Sequence, residues 1–411
     1  MPRLDRRLAI RAWTLSWFAY AVYYLGRKGF SVSKKTLVSQ LGVSEAALGA
    51  IDTAYLAAYA AGQFLSGFTG DRVGARRLVG YGLLGSAVCC ALFGAASSAL
   101  VFGALFLVNG LFQATGWPGT TRAMGEWTTP ENRGTVMAFW STCYQVGGIA
   151  ANALCGYLLV RNGWRWAFFG PALLLASMAA AILLALPAAT RVQSTTTGEA
   201  LQVESALVRE AQFGVLRSGV LWSYGASYFF IKFIRYAILF WLPYFLSTTL
   251  SYPADLAANV SSAFEIGGIV GVIAVGVISD RWAFRSRAAL SALSLLGLAL
   301  ALFAYSRFAA QGVLANALAL AFVGAFLFGP DALLSGAAAQ DAGGARAIAT
   351  ATGFVNGVGS IGGMVEGLVV PQLSKHFGWG ALFPTLLVLA LAAAVALLPA
   401  IIRQHRTRTI A

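Results

Sequence analysis

Charged residues are scarce in this 411-residue chain, because Asp, Glu, Lys and Arg together make up 11% of it, against about a quarter in an ordinary soluble domain. Hydrophobic residues account for 58%, and the mean hydropathy is +0.72. The longest polar segment is a linker of roughly 30 residues, too short to form a core of its own. The composition excludes a soluble catalytic domain and predicts an all-α integral membrane protein that is not an enzyme.

Cysteine and histidine are also rare, with four and two residues respectively. All four cysteines fall in apolar runs, where a free cysteine behaves as a small hydrophobic residue. Their spacing fits neither a disulfide framework nor a zinc site, and two histidines are too few for a proton relay. We therefore expect no metal, no cofactor and no catalytic residues.

Apolar runs of about 20 residues, the length that crosses a bilayer about 30 Å thick, occur twelve times. We expect the first run to be a retained helix rather than a cleaved signal peptide, because no small-residue cleavage site follows it. The predicted spans are 10–31, 47–68, 78–97, 100–122, 135–159, 166–187, 219–247, 257–279, 288–306, 312–336, 347–371 and 380–402.

The net charge of +14 comes from arginines and lysines that concentrate in alternate loops, on the same side as both termini. This asymmetry follows the positive-inside rule and predicts that both termini are cytoplasmic. It also accounts for the basic charge without a nucleic-acid partner. Arginine outnumbers lysine and alanine is abundant, a composition typical of GC-rich bacterial genomes, which favours the inner (plasma) membrane.

The chain repeats itself after about half its length. The loop GFTGDRVGARR, residues 67–77, reappears as GVISDRWAFRSR, residues 276–287, and TGWPG around Pro118 is matched by FGPDA around Pro330. Parallel repeats of this kind are typical of transporters whose substrate site lies at the midplane between the two halves.

The repeat predicts two pseudo-symmetric six-helix bundles, residues 1–187 and residues 218–411. Residues 188–217 between them are polar, rich in threonine and charged. We interpret this segment as a cytoplasmic linker with one short amphipathic helix near residues 199–212.

Two adjacent cations, Arg27 and Lys28, interrupt the first predicted span. Each costs about 2.5 to 3.5 kcal/mol at the centre of a membrane helix, so such residues usually face the bundle interior or a wet cavity. Tyr20 and Tyr24 fall on the same helical face as Arg27. The pattern predicts two phenols and a guanidinium directed into the interior of the bundle.

The seventh span repeats this pattern with Tyr228, Lys232 and Arg235. The repeat relationship predicts that Arg27 and Arg235 face each other across the cavity. Two facing guanidinium groups suit a phosphate dianion, since each can donate a pair of hydrogen bonds to it. The tyrosines could donate further hydrogen bonds to the phosphate or to organic hydroxyl groups.

Two other interpretations of these side chains are open. The tyrosines could serve packing, as aromatic stripes at helical spacing commonly do. The arginines could form interhelical ion pairs, for which the sequence offers three acids: Asp52, Glu265 and Asp331.

The repeated DR loop and the layout of six plus six spans resemble the major facilitator superfamily. Within it, YYLGRKGF, NGLFQATGWPGTTR, YQVGG and IRYAILFWLP resemble the organophosphate:phosphate antiporters, which exchange sugar phosphates or glycerol 3-phosphate for inorganic phosphate. GPDALLSGAAAQDAG looks like the animal sugar-phosphate exchangers of that family. The resemblance implies a monomeric antiporter in the lipid bilayer that works by alternating access on a small anionic substrate and inorganic phosphate.

The resemblance also implies roles for individual residues. Arg27 and Arg235 match the family's phosphate-binding pair. Glu265 would form a switching ion pair with a cation such as Lys28 or Lys232, and a static salt bridge is the alternative. Five charged residues at helix ends would stabilise the outward-facing state, or would merely set the topology: Asp71, Arg72, Arg76, Asp280 and Arg281.

The sequence departs from the family pattern at two positions. Tyr144 stands where several bacterial members have histidine, so no imidazole titrates there. Lys232 stands where glycerol-phosphate exchangers carry an aromatic residue, and it could select a more highly charged ester or neutralise a carboxylate. Two other functions also fit the sequence, a membrane sensor of sugar phosphate and a proton-coupled transporter of another organic anion.

Three more charged residues lie in or near the spans. Arg122 could guard the inner mouth of the pathway, with Glu126 as its i+4 partner. Glu366 in the eleventh span has no partner that the sequence identifies.

Overall fold

The computed structural model describes residues 5–187, 198–281 and 286–409, and within these ranges it contains helices and no β-strand. A π-helical segment, Leu333–Ala338, follows α13, and short 3-10 segments follow α12 and α15. The α-helices are α1 (Arg6–Tyr23), α2 (Leu25–Leu41), α3 (Glu45–Val73), α4 (Ala75–Ala95), α5 (Ala99–Gln113), α6 (Gly116–Glu126), α7 (Arg133–Asn162), α8 (Trp166–Ala185), α9 (Gly198–Arg217), α10 (Gly219–Thr249), α11 (Ala254–Arg281), α12 (Arg287–Phe308), α13 (Val313–Ala332), α14 (Ala339–Gly343), α15 (Ile348–Phe377), α16 (Leu382–Val395) and α17 (Leu398–Thr409).

Ten helical segments in the described part of the chain are long and apolar enough to cross a membrane. They coincide with ten of the twelve predicted spans. The other two runs, 10–31 and 47–68, fall on α1–α2 and on α3. Arg27 and Lys28 lower the hydropathy of α1–α2, and Asp52 and Gln63 lower that of α3.

The predicted helix in the linker is confirmed as α9, which is longer than residues 199–212 at both ends. The remainder of the predicted linker, residues 188–197, lies outside the described residues.

Polar side chains and glycine define several helix ends. The Asp5 carboxylate accepts a hydrogen bond from the Arg7 backbone N–H at 2.8 Å and caps α1. The Ser44 hydroxyl accepts one from the Ala47 N–H at 3.2 Å and caps α3. Gly42, with φ 65°, ends α2 in the left-handed conformation that glycine adopts without steric cost.

Two predicted membrane helices contain irregular turns close to the candidate site residues. The helical segment formed by α1 and α2 is interrupted at Tyr24, because the Tyr24 N–H donates to the Ala21 carbonyl, three residues before it, at 3.2 Å. The π-helical segment Leu333–Ala338 comes shortly after Pro330, whose ring removes one backbone donor. Such departures from α-helical geometry inside a helix often mark functional positions.

The described chain divides into two compact units, and each includes a short segment from the other half of the sequence. The first unit comprises Met1–Thr128, Trp140–Val215 and Gly343–Gly357. The second comprises Thr129–Phe139, Leu216–Ala342 and Val358–Ala411. That the chain works as two bundles, one on each side of the linker, remains a prediction.

The core of the first unit contains a cluster of stacked rings. Phe93 stacks on Phe102 and on Phe168, with ring centroids 4.3 Å apart in both pairs. Phe30 of α2 joins this cluster, 4.7 Å from the ring of Phe106. Aromatic pairs of this kind add about 0.5–1.5 kcal/mol beyond the area they bury, so they fix α2 in place one turn after Arg27.

In the second unit, glycines allow α11 and α13 to approach closely. A Cβ added to Gly267 would lie 2.0 Å from the Ala321 carbonyl oxygen, and one added to Gly271 would lie 2.0 Å from that of Ala325. Small residues at such contacts let membrane helices pack backbone to backbone. The sequence GGIVG, residues 267–271, thus provides a small helix face at this contact.

Candidate phosphate-binding site

Arg27 follows the irregular turn at Tyr24 in the first unit. Its guanidinium carbon lies 4.4 Å from the centroid of the Tyr24 ring and 5.6 Å from that of the Tyr59 ring. The predicted face that joins Tyr24 to Arg27 is thus observed, and Tyr59 of α3 is added to it. Cation–π contacts hold the guanidinium plane between two rings.

Arg27 has no carboxylate partner among the described residues. Its Nε and Nη2 atoms are buried and form no hydrogen bond. Asp52, one of the acids considered as a partner, forms an ion pair with Lys34 instead. A buried cation that lacks an anion is costly in a membrane helix, so this guanidinium is available to an anionic ligand.

Four aromatic side chains form a wall beside Arg27, which we call the aromatic wall: Tyr20, Trp117, Trp140 and Tyr144. The Tyr20 ring lies 5.4 Å from Trp117 and 5.6 Å from Trp140, and Trp117 lies 6.4 Å from Tyr144. The Trp140 indole N–H donates to the Ser16 hydroxyl at 2.9 Å. Tyr20 and Tyr144 were predicted site residues, whereas the two tryptophans were not.

A buried polar network holds the backbone directly before Arg27. The Asn109 side-chain nitrogen donates to the Gly26 backbone carbonyl at 2.8 Å, and the Ser86 hydroxyl donates to the Asn109 side-chain oxygen Oδ1 at 2.7 Å. The Gln113 amide donates to Ser86 at 2.8 Å. These hydrogen bonds join α2 to α4 and α5 in one register, while the Oε1 atom of Gln113 is buried without a hydrogen-bond partner.

Two glutamines in the first unit have buried amide groups without hydrogen-bond partners. They are Gln63 of α3, one turn after Tyr59, and Gln145 of α7, next to Tyr144. Buried amides are nearly always paired, and an exception calls for a ligand, a water or an ion. Sequence analysis missed both, because a glutamine in an apolar helix is a weaker signal than a charge.

Arg235 in the second unit has an anionic partner. Its Nη1 donates to the Asp331 carboxylate at 3.2 and 3.4 Å, and its guanidinium carbon lies 4.9 Å from the Phe328 ring centroid. The ion-pair interpretation that the sequence left open thus describes Arg235, whereas Arg27 has no such pair. The two predicted phosphate ligands have different local surroundings.

Lys232 lies one turn before Arg235 and is 4% exposed. Its ammonium donates to the Ser360 hydroxyl at 2.8 Å and lies 5.6 Å from the Tyr228 ring centroid. The predicted face on α10 therefore brings Tyr228 and Lys232 together. Two other candidates, Lys28 in the first unit and Glu265 in the second, are half-buried, and their ion pair remains a prediction.

Asp71 caps the N-terminus of α15. Its carboxylate accepts hydrogen bonds from the backbone N–H groups of Ala349 and Thr350, at 3.0 and 2.8 Å, and from the Thr350 hydroxyl at 2.6 Å. It also forms an ion pair with Arg122. A carboxylate at this position satisfies unpaired N–H groups and the positive end of the helix dipole.

Asp280 makes the corresponding contact with α7. It accepts hydrogen bonds from the backbone N–H groups of Gly134 and Thr135 at 2.9 and 2.6 Å. The Arg287 guanidinium lies 3.2 Å from Asp280 and 2.7 Å from Asp341. The predicted gating residue Arg281 is exposed, and among the described residues Arg287 contacts Asp280.

The other predicted gating residues of the first repeat loop also have partners. Arg72 donates to the side-chain oxygen of Gln212 on α9 at 3.2 and 3.3 Å. Arg76 donates to the Leu186 carbonyl at 2.6 Å. The predicted i+4 contact between Arg122 and Glu126 is confirmed at 3.4 Å.

Glu366, whose partner is not identifiable from the sequence, receives a hydrogen bond from the Trp241 indole N–H at 2.9 Å. It is 2% exposed and has no ion pair in the described part of the chain. The ring of Trp241 lies 5.4 Å from that of Trp379. A hydrogen bond from an indole was not visible in the sequence, because tryptophan is common in membrane helices for packing and for interfacial position alone.

Known proteins agree with this architecture. A family model described as Major Facilitator Superfamily matches residues 16–366. The protein named "Putative glycerol-3-phosphate transporter 2" of Arabidopsis thaliana is 31% identical, over 95% of this chain and 86% of its own. Sugar phosphate exchanger 3 of Xenopus laevis is 29% identical, over 97% of this chain and 93% of its own.

Among solved structures, the human organic anion transporter MFSD10 superposes with a TM-score of 0.73 at 18% identity, covering 95% of this chain and 99% of its own. At that identity the likeness concerns the fold alone. The family model and the relatives cover most of the chain, which is thus a multi-pass membrane protein that belongs to the major facilitator superfamily.

Proposed function

We propose that this protein exchanges a phosphorylated organic solute, of the sugar-phosphate or glycerol 3-phosphate class, for inorganic phosphate by alternating access. Two of its relatives are named for glycerol 3-phosphate and for sugar phosphate. The observation that carries the proposal is Arg27, a guanidinium in a membrane helix whose Nε and Nη2 are buried without a hydrogen bond. A phosphate dianion supplies both the missing charge and the missing acceptors.

Each side chain has a distinct part in the proposed binding. Arg27 contacts the phosphate group, and the phenols of Tyr20 and Tyr24 donate hydrogen bonds to it or to hydroxyl groups of the solute. Arg235 is the second guanidinium, and the phosphate competes with Asp331 for it. Lys232, held by Ser360, adds positive charge for an ester that carries more negative charge than phosphate.

Exchange rather than uniport follows from the charge of the empty site. Without a ligand, the protein would have to change conformation with the Arg27 charge uncompensated in a membrane helix, which is unfavourable. Either phosphate or the organophosphate compensates that charge. Occupancy by either ligand is therefore expected to lower the barrier, so that one anion leaves only as another enters.

We propose that the helix caps made by Asp71 and Asp280 break and re-form during this cycle. Each cap joins the repeated loop of one half of the sequence to a helix that the other half supplies. A cap of this kind holds one conformation until ligand binding favours another. Arg72 and Arg76 orient the same loop through α9 and the end of α8.

The proposal is tested by counterflow in proteoliposomes. Vesicles loaded with unlabelled phosphate should take up labelled phosphate, and glycerol 3-phosphate or a hexose phosphate should block that uptake, whereas a non-phosphorylated sugar should not. Arg27→Ala should abolish the uptake. Arg161→Ala is the matched control, because Arg161 also lies over a tyrosine ring, that of Tyr157 at 6.0 Å, but is exposed.

Near-normal phosphate exchange by Arg27→Ala would contradict the phosphate site. Tight binding of a sugar phosphate without any counterflow, by folded protein, would instead identify a sensor.

We propose an inner (plasma) membrane location with both termini cytoplasmic, and a monomer as the working unit. The native cysteines are buried, so an introduced cysteine reports sidedness. In intact cells, an impermeant maleimide should label Ser39→Cys, in the segment after the first predicted span, but not Ser205→Cys on α9. Labelling of the second and not the first would reverse the topology.

Glu366 favours a second candidate, proton-coupled transport of an organic anion. It is a buried carboxyl group in a membrane helix, with an indole N–H as its hydrogen-bond donor, and such groups serve as proton carriers in transporters. If uptake in vesicles without internal phosphate follows an imposed pH gradient, and Glu366→Gln removes that dependence, the proton-coupled mechanism replaces exchange. Uptake that needs internal phosphate at every pH gradient excludes it.

A further inference from the structure

A second group of arginines lies in the first unit, outside the candidate phosphate-binding site. It lines a cavity of about 1300 Å³ beneath α9, which we call the α9 cavity. The charged side chains of its lining are Asp71, Arg72, Arg122, Glu204, Arg209 and Arg346.

The charges of this lining do not balance. Asp71 forms an ion pair with Arg122. Glu204 forms one with Arg346, at 3.2 Å between carboxylate and guanidinium. Each of the two acids is therefore matched by one arginine, and two arginines remain.

The remaining two, Arg72 and Arg209, have no carboxylate partner among the described residues. Arg72 donates to the amide oxygen of Gln212, and Arg209 lies 5.7 Å from the centroid of the Phe213 ring. Arg209 precedes Gln212 by three positions, so the two lie on neighbouring points of one helix face. The neutral partner Gln212 brings Arg72 to that same face.

The hydrogen bonds of Gln212 hold α9 in the position that places these arginines on the cavity. Gln212 is 1% exposed, and its amide nitrogen donates to the Phe68 carbonyl at 2.8 Å and to the Thr350 hydroxyl at 3.2 Å. A fully bonded buried amide holds the helix in one register. The hydrogen bonds to Gln212 therefore position the Arg72 guanidinium in advance of any ligand, which reduces the entropy lost on binding.

We propose that the α9 cavity binds a phosphate-bearing anion, separately from the Arg27 site. Two unmatched guanidinium groups neutralise the two charges of a phosphate monoester and offer planar donor pairs to its oxygens. The cavity is far larger than a phosphate group, so it has room for an organic part of the anion as well. Either a soluble phosphate ester or the headgroup of an anionic lipid has this chemistry.

The test measures equilibrium binding of labelled inorganic phosphate to the full-length purified protein that carries Arg27→Ala, so the transport site does not contribute. Phosphate should still bind, and added salt should weaken binding because the arginines are partly exposed to solvent. Arg209→Gln should lower the affinity about tenfold, as expected for a lost charge-assisted hydrogen bond. Arg72→Gln should do the same, and Arg217→Gln, at the exposed end of α9, should have no effect.

Two kinds of nanodisc identify the source of the anion. If the occupant is a lipid headgroup, phosphatidylglycerol discs should abolish phosphate binding that phosphatidylcholine discs permit, and native mass spectrometry should find phosphatidylglycerol retained except in Arg209→Gln. If it is a soluble ester, both discs should bind phosphate alike.

The proposal is wrong if Arg27→Ala protein binds neither phosphate nor phosphatidylglycerol, or binds them equally well without Arg72 and Arg209. These readings do not depend on counterflow, so absence of exchange would overturn the proposed function and leave this inference standing.

Discussion

At the scale of single residues, Arg27 and Arg235 differ in whether a carboxylate of the described residues forms an ion pair with them. Arg27 lies against Tyr24 and Tyr59 with unbonded nitrogens, whereas Arg235 contacts Asp331. A ligand at Arg27 therefore gains new hydrogen bonds without displacing an internal partner. A ligand at Arg235 has to replace one.

The contribution of the paired hydrogen-bond donors of the Arg27 guanidinium can be tested separately from that of its positive charge. Arg27→Lys keeps the charge but removes the paired donors, and we expect phosphate exchange at subsaturating phosphate to fall at least about tenfold, the loss of one charge-assisted hydrogen bond. Arg161→Lys serves as the control. Unchanged exchange by Arg27→Lys would show that a point charge is sufficient at this position.

Asp331→Asn tests whether the ligand competes for Arg235. Removing one partner of a buried ion pair leaves an uncompensated charge and destabilises by about 3–5 kcal/mol. We expect the melting temperature of this variant to fall without ligand and to rise more with added phosphate than that of the wild type, because phosphate supplies the missing anion.

The control is Asp52→Asn, whose partner Lys34 is partly exposed, so its melting temperature should change little. A melting temperature of Asp331→Asn that falls and does not respond to phosphate would mean that the pair with Arg235 is structural only.

Sequence alone identified the candidate site residues whose charge is costly in a membrane. Arg27, Arg235 and Lys232 could be singled out because a cation in an apolar run needs a reason. Gln63 and Gln145 could not, since neutral amides and aromatic rings occur in membrane helices for packing as well. That Asp331 pairs with Arg235, and that no acid of the described residues pairs with Arg27, depends on tertiary contacts.

At the scale of helices, close packing fixes the position of the arginine. A Cβ added to Gly29, two residues after Arg27, would lie 2.4 Å from the backbone carbonyl oxygen of Ala167 on α8. We expect Gly29→Ala to destabilise the protein by about 1–3 kcal/mol, as overpacking does, and to lower exchange because α2 shifts. A cysteine-reactive dye that follows thermal unfolding would measure the loss of stability.

Gly156→Ala is the matched control for this packing prediction. Gly156 lies in α7, and an added Cβ there meets open space. Equal melting temperatures for the two alanine variants would mean that α2 and α8 can separate without cost.

The positions of the helices were largely predictable, but their irregular turns were not. Ten predicted spans coincide with apolar helices because a run of about 20 apolar residues has few other uses. The irregular turn is at Tyr24, where no proline or glycine predicts it. The length of α9 likewise depends on Gln212, whose hydrogen bonds are to residues distant in sequence.

At the scale of the whole molecule, both repeated loops contain an aspartate that caps the N-terminus of a helix. Asp71 binds the first turn of α15, and Asp280 binds the first turn of α7. The repeat of the DR sequence predicted that the two aspartates are equivalent, and family resemblance implied a role in conformational change. The helix termini that they cap were not predictable, since the contacts join residues far apart in the chain.

Neutralising these aspartates should change the balance of conformations. Asparagine still caps a helix, but it cannot form the ion pairs of Asp71 with Arg122 and of Asp280 with Arg287. A hydrogen bond to a charged group is worth about 1.5–3 kcal/mol, so Asp71→Asn and Asp280→Asn should each change the exchange rate at least severalfold. Ala349→Cys, which is buried beside Asp71, should react faster with an impermeant maleimide in the Asp71→Asn background.

The double variant Asp71→Asn, Asp280→Asn should show the combined effect on exchange, because the two caps share no residue and sites without shared partners usually add. Asp5→Asn is the control, since Asp5 caps its own helix at an exposed site and asparagine caps equally well. If the double variant exchanges like Asp5→Asn, the caps fix the topology of the loops and do not take part in the transport cycle.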